Sequence, residues 1–290
     1  MNTTRLHFAV IAPAFLAFLA ADSPGAVTSY DILKIQYFEQ NSALQPSLAG
    51  FRVVQRAFVD SEFDFTSGGL DLPLGLGTVP LQIDTLGYST PVWFADAHFA
   101  DTLDMESTFP DGENYVFALS NGLDPASEHV LPLPTGGLFP DTIPAFAETT
   151  RNLLRARPSA GSDIELTFNS FSDLTDGPNG VSSLFEVRVY TTLGVQLAFE
   201  SGPQSLGVDS VTVPGGTLLP GIDYFAQISF QTSDQFPDDG GTPLGAARYN
   251  ITTTQNFLTA VPEPAETAIV TGLLLGAGHL LLRPGRRSTR

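Results

Sequence analysis

The segment DLTDGPNG carries the strongest candidate for metal chemistry in this sequence. Asp173, Asp176 and Asn179 place three oxygen donors in a glycine-rich loop. Hard cations such as Ca²⁺ bind carboxylate and amide oxygens in flexible loops of this kind. The spacing lacks the alternate acids and final glutamate of an EF-hand, and Asp-Gly and Asn-Gly also form ordinary turns. Calcium binding and a plain turn are therefore both open for this loop, and no other cofactor is expected.

Residues for nucleophilic catalysis or transition-metal binding are scarce. The chain has no cysteine, and only His98 and His129 lie outside its two ends. A Ser-His-Asp triad needs a histidine held next to a serine, and no Gly-x-Ser-x-Gly motif accompanies either histidine. Zinc and copper sites need more nitrogen or sulfur ligands than these. We expect no catalytic residues, although paired carboxylates keep a secreted glycoside hydrolase as a third possibility.

The charge balance argues against nucleic acid as a partner. The formal net charge is −18, and the chain between residues 27 and 262 holds few basic residues, namely Lys34, Arg52, Arg56, Arg151, Arg155, Arg157, Arg188 and Arg248. A surface this poor in cations repels phosphate backbones. The 27 Gly, 22 Pro and 22 Phe favour short strands and many turns. Without disulfides, the fold has to be stabilised by its core.

The N-terminal segment has the features of an export signal. Arg5 precedes an apolar run over residues 8–21, and small residues follow up to Ala26. This order of charge, apolar run and small residues predicts a signal peptide over residues 1–26, with cleavage after Ala26. A buried N-terminal helix or an uncleaved anchor is the alternative.

The C-terminal segment has the features of a short membrane helix. Ala268–Leu282 contains 15 residues without a formal charge. As a helix it spans about 22 Å, less than the hydrocarbon core of about 30 Å. Arginines follow this run, and by the positive-inside rule they hold that end in the cytoplasm. The chain is therefore expected to be translocated and then halted in the inner membrane with its bulk outside.

These C-terminal features together resemble a PEP-CTERM sorting signal over residues 261–290. The residues that carry the resemblance are Pro262, Glu263 and Pro264 of the triplet and Arg283, Arg286 and Arg287 of the basic cluster. In that family a membrane protease-transpeptidase, the exosortase, recognises the triplet and removes the tail. The resemblance implies exosortase as a partner, transient anchoring through the C-terminal helix, and a final location at the cell surface or outside a Gram-negative cell. A plain C-terminal membrane anchor is the alternative, and Pro284 and Gly285 interrupt the basic cluster.

The middle of the chain contains an internal similarity. STFPDGENYVFALS (Ser107–Ser120) aligns without gaps with GTLLPGIDYFAQIS (Gly216–Ser229), and Tyr115 is matched with Tyr224. A Thr-Leu-Gly match upstream repeats at nearly the same offset, roughly 107 residues, which suits one β-sandwich domain. Duplication of a domain and chance similarity are the two explanations.

Several segments alternate between apolar and polar residues. The apolar sets are Tyr115, Phe117 and Leu119; Ile164, Leu166 and Phe168; Phe185, Val187 and Val189; and Tyr224, Ala226, Ile228 and Phe230. This period is typical of strands with one face in a core. We therefore predict an all-β fold with two tandem β-sandwich domains, at 27–122 and 147–260, joined by a Pro/Gly-rich linker at 123–146.

One short helix is predicted within the second unit. The segment ETTRNLLRA (148–156) has helical character, with Thr149 or Thr150 as its cap and Pro158 as its end. It carries some of the rare arginines. They form either a small anion-facing patch or local pairs with nearby carboxylates.

The second unit also resembles a fibronectin type III domain, one of the Ig-like sandwiches. Leu218-x-Pro-x-Ile-x-Tyr224 matches the corner before strand F, and Glu165-Leu-Thr-Phe168 matches strand B with phenylalanine in place of tryptophan. The resemblance implies a structural tyrosine whose hydroxyl bonds to nearby backbone. Tyr115 fits the same corner in the first unit.

These observations lead to an expected function. We expect a non-enzymatic cell-surface or extracellular-matrix protein that is sorted by an exosortase. The rival is a carbohydrate- or calcium-binding module on the same fold, because PEP-CTERM proteins are associated with exopolysaccharide-producing bacteria. Exopolysaccharide or other surface components are therefore possible partners. Sugar platforms need exposed aromatic side chains, whereas Trp93, the only tryptophan, lies in an alternating run that predicts a core position.

Overall fold

The fold is described by a computed structural model, which covers residues 27–41, 44–84, 90–122, 127–171, 182–237 and 244–261. The predicted signal peptide, the predicted calcium loop and the residues of the sorting signal lie outside these ranges. Neither helix within the covered ranges has the length and apolar character needed to cross a membrane.

Strands dominate the described part of the chain. They are β1 (Val27–Glu39), β2 (Ser47–Val59), β3 (Ser67–Leu72), β4 (Gly77–Asp84), β5 (Val92–Phe99), β6 (Asn114–Ser120), β7 (Ser127–Pro132), β8 (Ile164–Thr167), β9 (Ser182–Thr191), β10 (Leu197–Glu200), β11 (Ser210–Val213), β12 (Asp223–Pro237) and β13 (Leu244–Leu258). Two short helices, α1 (Thr102–Thr108) and α2 (Glu148–Arg155), interrupt them. The all-β prediction is confirmed.

One long sheet runs through the molecule. Its strand order is β10-β9-β12-β13-β1-β2-β5-β4-β3-β6-β7, and β8 and β11 form a separate pair. The first strand, β1, lies parallel to the last strand, β13, in register from Ser29 opposite Leu244 to Glu39 opposite Thr254. The other described neighbours in this sheet are antiparallel. The two ends of the described chain therefore meet at the middle of the sheet.

The predicted alternation places the core on one face of these strands. On β9, Phe185, Val187 and Val189 are fully buried. Successive side chains of a strand point to opposite faces, so Glu186 and Arg188 point away from this core. The apolar sets predicted on β6, β8 and β12, with Phe168 just after β8, are likewise buried.

The buried apolar residues form two main cores. The N-terminal core contains residues of β1 to β7 together with Ala247 and Tyr249 of β13. The C-terminal core contains residues of β8, β9 and β12 together with Phe257 of β13. Since β13 contributes to both cores and one sheet joins them, the division into tandem domains at 27–122 and 147–260 stays a prediction.

The two matched tyrosines make equivalent backbone contacts. The hydroxyl of Tyr115 donates to the carbonyl oxygen of Pro110 at 2.8 Å, and the hydroxyl of Tyr224 accepts from the N–H of Leu219 at 2.9 Å. Pro110 and Leu219 occupy the same position in the aligned repeat. The bond reverses direction because proline has no N–H to donate. The predicted contact between hydroxyl and backbone is thus present in both halves, which supports duplication.

The predicted helix is present as α2, but its cap was predicted wrongly. The capping residue is Ala147, which offers no side-chain hydrogen bond. Thr150 lies inside the helix, where its hydroxyl accepts from the N–H of Thr167 at 2.7 Å. The Thr150 hydroxyl, which the sequence pattern assigned to capping, therefore bonds to β8 instead.

Candidate functional site

A groove with a volume of about 750 Å³ lies on the face of the sheet opposite the two cores. Five adjacent strands, β9, β12, β13, β1 and β2, line it with alternate residues. Strands lie about 4.8 Å apart, so this face is about 20 Å wide. Residues at the edge, including Glu200 and Pro203, line the same groove. The face is therefore concave.

Aromatic and aliphatic side chains form the apolar part of the groove. Leu33, Ile35 and Val54 are almost fully buried in its floor, with Tyr37 packed against them. Tyr190 and Phe225 stack on neighbouring strands, with ring centroids 5.1 Å apart and an interplanar angle of 21°. These half-buried rings offer flat apolar surface to a ligand.

Cationic side chains are concentrated in this groove. Arg52, Arg56, Arg188 and Arg248 line it, which is half of the eight basic residues between positions 27 and 262. In a chain of net charge −18, dispersed solubilising charge does not account for this clustering.

One buried carboxylate holds two of these arginines in place. Both carboxylate oxygens of Asp31 accept from Arg56 at 2.7 Å, and Arg248 Nε lies 2.9 Å from Asp31 Oδ2. The Asp31 side chain is only 3 % exposed. A bidentate contact of this kind fixes the plane of a guanidinium.

A carboxyl pair lies at the β9 side of the groove. Arg188 Nη2 lies 2.7 Å from Glu186 and 2.8 Å from Glu200. Burial raises the pKa of Glu186 to about 7, its hydrogen bond with Glu200 adds to the shift, and Arg188 opposes it. The same hydrogen bond lowers the pKa of Glu200. The pair therefore shares a proton close to neutral pH.

The carboxyl pair surrounds one nitrogen of Arg188, because both carboxylates lie within 2.8 Å of Nη2. The pair is suited to accepting and donating hydrogen bonds.

Two buried amide atoms in the groove have no hydrogen-bond partner within the described chain. They are Asn250 Oδ1 on β13 and Gln231 Nε2 on β12. Buried polar atoms are nearly always satisfied in folded proteins. The groove strands thus carry one buried acceptor and one buried donor without a partner in the described chain.

The candidate residues from the sequence lie elsewhere. Asp173, Asp176 and Asn179 and the residues of the sorting signal are outside the described ranges, so calcium binding and sorting stay predictions. Trp93 is 6 % exposed and belongs to the N-terminal core, as predicted. The side chain of His98 is 70 % exposed, 3.9 Å from Asp96. Among the described residues, no three His, Cys, Asp or Glu side chains are grouped so that they could hold a metal ion.

The groove residues were missed, although part of their pattern is visible in the sequence. Arg52 and Arg56 are four residues apart and therefore share one face of a strand. The alternation that placed Val187 and Val189 in the core also places Arg188 and Tyr190 on the other face. No sequence pattern indicates that β1 and β13 bring these faces together.

Comparison with known proteins gives only distant structural similarity. No family model matches the sequence, and no curated protein matches it. The tandem Ig repeats of Dlar align over 80 % of this chain and 100 % of theirs, with 9 % identity and a TM-score of 0.33. The FN1-FN3 domains of chicken CNTN1 align over 80 % of this chain and 67 % of theirs, with 9 % identity and a TM-score of 0.23. Trypsin-activated α-2-macroglobulin of Escherichia coli aligns over 77 % of this chain and 16 % of its own, with 10 % identity and a TM-score of 0.21.

Proposed function

We propose that the chain is an exported, non-enzymatic cell-surface or matrix protein whose sheet groove binds carbohydrate. The observation that carries the binding proposal is the groove itself, where stacked aromatic rings lie beside arginines, a carboxyl pair and two unpartnered amide atoms. Export, sorting by an exosortase and transient anchoring in the inner membrane rest on the sequence of the two ends.

Carbohydrate fits this combination of groups better than a purely apolar ligand does. A sugar ring has apolar C–H faces and a rim of hydroxyl groups that both donate and accept hydrogen bonds. The rings of Tyr190 and Phe225 suit the faces, and the planar polar groups of Arg188 and Asn250 suit the rim. The carboxyl pair adds a donor and acceptors at neutral pH.

Binding can be tested by affinity electrophoresis and calorimetry with a panel of bacterial exopolysaccharides and their oligosaccharides. Tyr190→Ala is expected to weaken binding at least tenfold, because it removes the aromatic platform. Phe63→Ala is the matched control, since Phe63 is an aromatic residue, 84 % exposed, on the turn after β2 and outside the groove. Absence of retention by every polysaccharide, or equal losses in both variants, would overturn the proposal.

A second variant separates binding from folding. Asn250→Ala removes a buried acceptor that has no protein partner within the described chain. Its removal is expected to weaken glycan binding without lowering the stability of the free protein, since Oδ1 accepts no hydrogen bond within the described chain. If Asn250→Ala lowers stability and leaves binding unchanged, the amide is structural and the assigned contact is wrong.

The export and sorting proposal has its own test. Peptide mass spectrometry on surface and secreted fractions is expected to find a mature chain that begins near Val27 and ends close to Pro264. Intact peptides from residues 265–282 in the membrane fraction would instead indicate an ordinary anchor.

A further inference from the structure

The only lysine of the chain lies in the N-terminal core. Lys34 occupies β1, and its side chain is fully buried. Burying an ammonium group is costly unless it is paired, and even a paired one rarely stabilises a core as well as apolar residues do. Packing alone therefore does not explain why a lysine is buried at position 34.

Two carboxyl groups meet the Lys34 amine inside this core. Its Nζ atom lies 2.7 Å from Asp111 Oδ1 and 2.8 Å from Glu106 Oε1. Glu106 belongs to α1 and Asp111 to the turn after it. The other oxygen of Glu106, Oε2, accepts from the backbone N–H of Asp111 at 3.0 Å. That bond fixes both carboxyl groups against the amine.

A tyrosine hydroxyl completes the arrangement. Tyr249 on β13 donates to Asp111 Oδ1 at 2.8 Å, the same oxygen that faces Lys34. Burial, followed by the charge of Asp111, raises the pKa of Tyr249, so its hydroxyl stays protonated as a donor. Phe139 packs edge-on against the Tyr249 ring, with centroids 5.2 Å apart. A Cβ atom added to Gly137 would lie 2.8 Å from Asp111 Oδ2, so the backbone closes the other side.

We propose that Lys34 and Asp111 form an intramolecular amide bond, with Glu106 as the general acid and base. The ammonium of Lys34 passes a proton to Glu106, and the Nζ lone pair attacks Cγ of Asp111. Tyr249 stabilises the negative charge that develops on Oδ1, in the manner of an oxyanion hole. Glu106 delivers this proton to Oδ2, and a second proton passes from the acylated Nζ through Glu106 to the same oxygen, which leaves as water.

The step balances without an added reagent. One Nζ–Cγ bond forms, one Cγ–Oδ2 bond breaks, and an ammonium and a carboxylate become an amide and a water molecule. Nothing is oxidised or reduced, and Glu106 returns to its starting state. The fold holds the reactants in contact, which replaces the activation that amide formation needs between free molecules. The bond would link β1 to the turn after α1 in a chain that has no disulfides.

The mass of the natural or recombinant chain tests the proposal directly. The folded protein is expected to be about 18 Da lighter than its sequence requires, because one water is released. A protease digest under reducing, denaturing conditions is expected to yield one linked pair of peptides, carrying Lys34 and Asp111. Full mass with the two peptides recovered separately would overturn the proposal, whatever the behaviour of any variant.

Variants test the assigned roles. Lys34→Arg keeps a cation between the carboxyl groups but has no amine to acylate, so the full mass is expected. Glu106→Gln keeps the shape but cannot accept the proton, and most of the protein is expected at full mass. Glu113→Gln is the matched control, a neighbouring carboxyl outside these contacts, and it is expected to keep the mass deficit of about 18 Da. An unchanged deficit in Glu106→Gln would overturn the role of Glu106. The amide bond does not depend on carbohydrate binding, and neither test relies on the other.

Discussion

The N-terminal and C-terminal cores differ in what they bury beside their equivalent tyrosines. Near Tyr115, the N-terminal core holds Lys34, Glu106 and Asp111, and the charges of these two acids add to the burial that raises the pKa of Tyr115. The C-terminal core around Tyr224 contains many buried aromatic rings, with Phe171 and Phe230 stacked at a centroid distance of 4.6 Å. The two cores thus share the contact between a tyrosine hydroxyl and the backbone but differ in the side chains around it.

This difference shows what each core can do. An apolar interior contributes stability through burial alone and has no group that reacts. The triad of Lys34, Glu106 and Asp111 contributes little net stability as an ion pair around a buried amine, but it holds reactive atoms in contact. If the two halves arose by duplication, charged side chains that can react have replaced apolar ones in the N-terminal half.

The largest contrast is expected from removing the centre of each core. Asp111→Ala leaves Lys34 buried with one partner and removes the proposed cross-link, and it should lower the free energy of unfolding by about 3–5 kcal/mol. Urea denaturation measures it. Asp104→Ala, which removes an exposed acid on α1, is the control and should change stability by less than about 0.5 kcal/mol. A decrease below about 1 kcal/mol in Asp111→Ala would show that the triad is not a stability element.

The matching change in the C-terminal core is Phe230→Ala. Phe230 is fully buried and packs against both Phe171 and Phe185. Truncation should cost about 3–4 kcal/mol, because apolar surface is no longer buried and a cavity is left behind. The cost should be the same at pH 5 and pH 8, because the rings that Phe230 packs against, Phe171 and Phe185, carry no charge. A strong pH dependence would show that a titrating group contributes to the packing of Phe230.

The two tyrosine contacts give a smaller and finer comparison. Tyr224→Phe leaves the N–H of Leu219 without its acceptor, and Tyr115→Phe leaves the carbonyl of Pro110 without its donor. Unpartnered N–H groups are rarer in folded proteins than unpartnered carbonyls. Tyr224→Phe is therefore expected to cost about 1.5 kcal/mol and Tyr115→Phe about 1 kcal/mol in chemical denaturation. The reverse order would indicate that the triad near Tyr115 strengthens its contact.

The smallest effect is expected from the carboxyl pair in the groove. The pKa of Glu186 is raised in the folded protein to about 7, so between about pH 4.5 and pH 7 the folded state binds more protons than the unfolded chain. Stability should therefore fall as the pH rises through this window. Thermal melts at pH 5.5 and pH 8 measure this slope, and Glu186→Gln should flatten it. A slope that persists in Glu186→Gln would place its origin elsewhere.

Local pattern was enough to predict the buried faces of β6, β8, β9 and β12. Alternation on β9 and β12 separates core from solvent without knowledge of the partner strands, and the tyrosine corner is likewise a local motif. The buried position of Trp93 was predicted from the same two-residue alternation. In each case the determining residues lie within one strand or one turn.

The pairing of distant segments could not be predicted. β1 and β13 lie at opposite ends of the described chain, and no local signal specifies their parallel register. The groove and the triad both depend on that pairing, since Arg248 and Tyr249 are adjacent on β13 and serve opposite faces. The role of Lys34 could not be predicted either, because β1 is apolar on both sides of it and its partners come from α1 and the turn that follows.

The most direct test of carbohydrate binding in the groove is an NMR titration of the isotopically labelled folded chain with oligosaccharides prepared from bacterial exopolysaccharides. Saturable shifts are predicted for residues on the groove face of β9, β12, β13, β1 and β2, with Tyr190 and Asn250 among the largest, while Tyr115 and Tyr224 stay unmoved. Shifts confined to other surfaces, or none at millimolar oligosaccharide, would contradict the assignment of the groove as a carbohydrate site.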